Sequence, residues 1–69
     1  MNENTVYLIQ VGHGPKGAFK TRYCVPGHAG QASLLYRGIN IGRGYKKRMV
    51  KQVLTDDGWV REVLAKATS

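Results

Sequence analysis

Between Lys16 and Lys51 the chain has no aspartate and no glutamate. Its four acids stand outside that window, at Glu3, Asp56, Asp57 and Glu62, while nine of its eleven lysines and arginines lie inside it. Cysteine is almost absent too: Cys24 stands alone, which excludes an internal disulfide and fits a reducing cytosol. No apolar run approaches the ~20 residues a membrane span needs, and the opening MNENTVYLIQVG carries no basic leader, so a cytoplasmic protein is expected. What is present is a hydrophobic fraction of 42%, too high for a disordered polybasic tail and enough for a modest core. Residues 1–69 therefore read as a single basic domain, small enough that a partner or a second copy would contribute to its stability.

Local patterns predict the elements. Thr5–Val11 is β-branched and aromatic, with Tyr7, Ile9 and Val11 on one face and Val6, Leu8 and Gln10 on the other; apolar residues on both faces mark a central strand. Ala18–Val25 alternates, Phe19, Thr21, Tyr23 and Val25 inward against Lys20, Arg22 and Cys24 outward, and ends at Pro26-Gly27. Gln31–Ile39 is the helix candidate, with Leu34, Leu35 and Ile39 as its apolar stripe and Arg37 in the last turn, where a cation suits the dipole. Asn40 or Gly42 is positioned to take a left-handed cap, and Gly38 to let the helix approach a sheet closely.

Thr55-Asp56-Asp57-Gly58 between two apolar-containing runs signals a hairpin. Pairing outward sets Leu54 opposite Trp59, Val53 opposite Val60, Lys51 opposite Glu62, Val50 opposite Val63 and Met49 opposite Leu64. A reading of the same runs as two helices competes, because Met49, Val50, Val53 and Leu54 also fit a 3.6 period. With the hairpin, the fold is α+β: a small antiparallel sheet with one helix on a face, in the order β-β-α-β-β.

Motifs for chemistry are thin. Gly12-His13-Gly14-Pro15-Lys16-Gly17 is a literal G-x-G-x-x-G, but no helix opens after it and no acid lies about 20 residues on, so it reads as a loop rather than a dinucleotide site. His13, Cys24 and His28 are too few and too poorly spaced for a metal site, and nothing would orient a Cys24–His28 pair for nucleophilic catalysis. Neither enzyme activity nor a cofactor is expected. Gly27-His28-Ala29-Gly30 matches the G-x-x-G loop of RNA-binding KH domains, a fold that would require a helix where Ala18–Val25 alternates as a strand.

An acid-free basic run repels itself on folding and is most useful against something negative. The candidate binding residues are Lys16, Lys20, Arg22, Arg37, Arg43, Tyr45, Lys46, Lys47, Arg48 and Lys51. Tyr45, between Gly44 and Lys46, is the aromatic placed to stack on bases.

In layout, the VYLIQV strand, the QASLLYRGI helix and the KKRMVKQVLTDDGWVREVL hairpin resemble the small phage-encoded anti-CRISPR proteins. That resemblance implies a non-enzymatic inhibitor in the host cytoplasm. Its basic surface would dock on an acidic face of a host nucleoprotein complex and block nucleic acid binding. The alternative is a direct, sequence-independent DNA- or RNA-binding domain using the same residues with Tyr45 stacking. Either would act as a monomer or a weak homodimer.

Overall fold

The computed structural model describes residues 4–68; Glu3 lies outside them. Strands β1 (Thr5–His13) and β2 (Lys20–Pro26), helix α1 (Ala29–Gly38), and strands β3 (Tyr45–Thr55) and β4 (Gly58–Thr68) follow in the expected order. The sheet is antiparallel with strand order β2-β1-β3-β4, so the doubly apolar β1 is central, and residues 45–68 form a hairpin and not two helices. Strand at Lys20–Pro26 also excludes the KH arrangement.

The hairpin register follows the turn chemistry. Thr55 pairs with Gly58, whose φ of 109° suits only glycine, and the Thr55 hydroxyl accepts from Asp57 N and donates to Gly58 O. Leu54–Trp59, Val53–Val60, Lys51–Glu62 and Val50–Val63 pair as expected. Beyond them the register slips by one. Met49 meets Ala65 instead of Leu64, because Leu64 is the extra residue of a β-bulge.

A second bulge corrects the reading of β2. Ile9 pairs with Tyr23 but Gln10 with Thr21, leaving Arg22 as the extra residue. The alternation therefore breaks at Arg22. Tyr23 and Val25 share the face of Ile9, whereas Thr21 lies on the opposite face, bonded to Gln10.

One face of the sheet carries α1. Ile9, Val25 and Ala32 are buried there, with Tyr7, Leu35, Tyr36, Ile39 and Met49 packed around them. The helix stripe is thus Ala32, Leu35, Tyr36 and Ile39, a clean i, i+3, i+4, i+7 set, and Leu34, expected inside, is 71% exposed. Gly38 has open space where a side chain would go, so close approach to the sheet is not its role.

The helix end is also unlike expectation. Neither Asn40 nor Gly42 is left-handed; the chain leaves α1 extended at Ile39. The Lys47 ammonium of β3 takes over the capping, donating to Tyr36 O (2.6 Å) and Ile39 O (3.0 Å).

Among the described residues the other sheet face has no covering layer, and the slab measures 39 × 24 × 15 Å. No helix among the described residues is long and apolar enough to cross a membrane.

Candidate nucleic-acid interface

A ten-residue helix rises only ~15 Å, whereas eleven-residue β3 extends ~36 Å. The helix starts beside the end of β2 and stops near Val11, so the sheet end where β3 begins is left uncovered on that face. Tyr45 stands there, 43% exposed, and lines three adjoining clefts. The first, ≈ 280 Å³, runs between Arg22, Val11 and the Ile39–Gly42 segment; the second, ≈ 360 Å³, lies between His13, Gly17 and Lys20. The third, ≈ 220 Å³, is bordered by Pro15, Lys46 and Thr68. The His13 ring lies 4.5 Å from that of Tyr45, tilted by 59°, which steadies the phenol while leaving much of it open.

Two loops bracket these clefts and are tied together by Gly14 N donating to Gly44 O at 2.7 Å. Lys16 is exposed on one and Arg43 on the other. Gly14 (φ 72°) and Gly44 (φ 83°) supply left-handed turns, and a methyl on Gly17 would fall on the His13 carbonyl. The glycines of Gly12–Gly17 thus shape the tight loop expected between two strands.

Lys16, Lys20, Arg22, Arg43, Tyr45 and Lys46 therefore gather at one end. The other predicted residues do not. Lys47 faces the helix and is engaged as its cap, with its ammonium 4.4 Å from the Tyr36 ring centroid. Arg37 is exposed on the last turn of α1, and Lys51 lies further along β3, opposite Glu62. Lys46 and Arg48 project to the uncovered face, where both lie over the Phe19 ring, at 4.6 and 4.0 Å.

Two cations on that same face were missed, Arg61 and Lys66. Strand parity with Gln52 would have placed Arg61; Lys66 reaches its position opposite Arg48 only through the Leu64 bulge. Among the described residues none of these cations is in an ion pair with an acid. Asp56 and Asp57 sit in the far turn, a strand length of ~33 Å from Tyr45 and several Debye lengths away. No three His, Cys, Asp or Glu side chains come together as a metal-holding group among the described residues.

Compared with family models, curated proteins and solved structures, the chain matches none.

Proposed function

We propose that this chain is a non-enzymatic, sequence-independent binder of single-stranded nucleic acid, gripping it at the sheet end around Tyr45. The observation that supports this most is the half-exposed Tyr45 ring lining three clefts among Lys20, Arg22 and Lys46, with no aspartate or glutamate near among the described residues. Cations hold phosphates there while the phenol offers a stacking platform that any base can use. The test is anisotropy of labelled single- and double-stranded DNA and RNA over a salt series. Affinity for single strands falls linearly in log–log form, by about 0.7 per phosphate contacted, and Tyr45→Ala costs ~1–3 kcal/mol of binding. Binding indifferent to both salt and Tyr45 would sink the reading.

A second reading is a phage-type inhibitor that sets the same cations on an acidic protein face. It is favoured by Val60 and Leu64, large apolar side chains of β4 left exposed, which a phosphate backbone does not use and a protein partner would cover. Its signature is salt dependence confined to the association rate.

A further inference from the structure

On the uncovered sheet face the residues form ordered cross-strand rows. One row runs Thr21, Gln10, Arg48, Lys66; the next Cys24, Leu8, Val50, Val63; the next Pro26, Val6, Gln52, Arg61. Two arginines in these rows are held in the same way. Arg48 donates through Nε to Gln10 Oε1 at 2.6 Å, and Arg61 through Nε to Gln52 Oε1 at 2.8 Å. Gln10 is buried and is itself fixed by donating from Nε2 to Thr21 Oγ1 at 3.2 Å. Arg48 also has the Phe19 ring against its guanidinium.

A glutamine oxygen orients an arginine without neutralising it, as a carboxylate would. Held by Nε alone, each guanidinium keeps its two terminal nitrogens, the edge that grips a phosphate bidentately. Lys66 stands directly across from Arg48, a like-charge pair that costs the fold stability. Among the described residues no acid lies on this face: Glu62 belongs to the opposite one and Asp56 and Asp57 to the turn. The two arginines lie ~13 Å apart along the strands, on either side of the apolar row. Trp59, two residues before Arg61 on the same face, is 52% exposed and offers a ring for stacking.

We infer that this open face is a second nucleic-acid track, separate from the Tyr45 clefts, in which Arg48, Arg61 and Lys66 take phosphates and Trp59 takes a base. The inference rests on the proposed function: a strand long enough leaves the clefts around the Tyr45 end and continues over this face.

The test uses labelled oligothymidylates of about four and about twenty nucleotides, with Arg61→Gln/Lys66→Gln set against Tyr45→Ala/Arg22→Gln. The open-face double variant loses roughly tenfold in affinity for the long strand, its salt slope drops by about 0.7 for each of the two contacts removed, and the short strand binds as before. Its Tm does not fall, since a like-charge pair has been relieved. Unchanged long-strand affinity and slope in that variant would overturn the track and leave the clefts standing. Affinity loss accompanied by a lower Tm would mark these residues as structural and overturn it likewise. Loss in the open-face variant with none in the Tyr45 variant would retire the clefts and keep the track. Wild-type protein that binds neither strand would overturn both.

Discussion

Lys47 and Tyr36 are joined twice: the ammonium donates to the Tyr36 carbonyl at 2.6 Å and lies 4.4 Å from the centre of its ring. A strand residue thus closes the end of a helix eight or more positions earlier in the chain, and it does so from the middle of the most basic triplet in the sequence. Charge density alone would assign Lys47 to a binding surface. Its contacts assign it to the fold.

Lys47→Ala should therefore lower stability by about 2 kcal/mol, through two charge-assisted hydrogen bonds and one cation–ring contact, each half-buried. Lys20→Ala, on an exposed stretch with no such contacts, should change stability by less than about 0.5 kcal/mol. Urea denaturation of both variants checks this. Equal, small effects would mean the cap contributes nothing.

Tyr36 also carries a cost. Its hydroxyl is buried with no hydrogen-bond partner among the described residues, and burial raises the phenol above its ordinary pKa. Tyr36→Phe should leave stability unchanged or raise it by up to ~1 kcal/mol. The sign of the pH effect follows from linkage. With the folded pKa raised, the native state keeps a proton that the unfolded chain releases near pH 10, so this contribution is present below about pH 10 and is lost as pH rises further. The difference between wild type and Tyr36→Phe in denaturation above pH 10 isolates it, and parallel curves would refute it.

Much of this was legible because it is local. The turn residues Thr55–Gly58 and the alternation either side determine the hairpin register as far as Val50 and Val63. Glycine beside Tyr45 likewise marks it as exposed, whereas grouping Lys46, Lys47 and Arg48 by charge overlooked that strand periodicity sets Lys47 on the face opposite the other two. The bulges at Arg22 and Leu64 have no local marker, since they arise from how neighbouring strands twist together, and each reverses the side chains that follow. The helix cap was hidden for a similar reason: a left-handed residue leaves a sequence trace, whereas a lysine arriving from another strand does not. The expected stripe, centred on Leu34, lies one position off the one that packs, Ala32, Leu35, Tyr36 and Ile39, because Tyr36 is amphipathic and its place in the core has no marker in the sequence.

Two glycines should respond in opposite directions. At Gly17 an added methyl falls on the His13 carbonyl oxygen, so Gly17→Ala must deform the loop that bounds the second cleft. A loss of roughly 2 kcal/mol, together with weaker oligonucleotide binding, is expected. At Gly30, inside α1, the methyl meets open space and the backbone is not left-handed. Gly30→Ala should stabilise by ~0.5–1 kcal/mol through the unfolded state and leave binding alone. Thermal melts and anisotropy on the pair decide both claims.

The last prediction concerns the charge itself. Eleven cations against four acids, with no ion pair among the described residues and Arg48 facing Lys66, leave the folded state under net self-repulsion. Added salt screens repulsion as effectively as attraction. Raising sodium chloride from about 20 mM to about 0.5 M should therefore stabilise the protein by ~1 kcal/mol, a Tm increase of roughly 5 °C for a domain of this size. Over the same range nucleic-acid affinity should collapse, so stability and binding move in opposite directions with one variable. Lys66→Gln should show a smaller salt-induced rise than wild type, because part of the repulsion is already gone. A Tm that is flat or falls with salt would mean the cations are locally neutralised, and the case that they are held ready for an anion would fail with it.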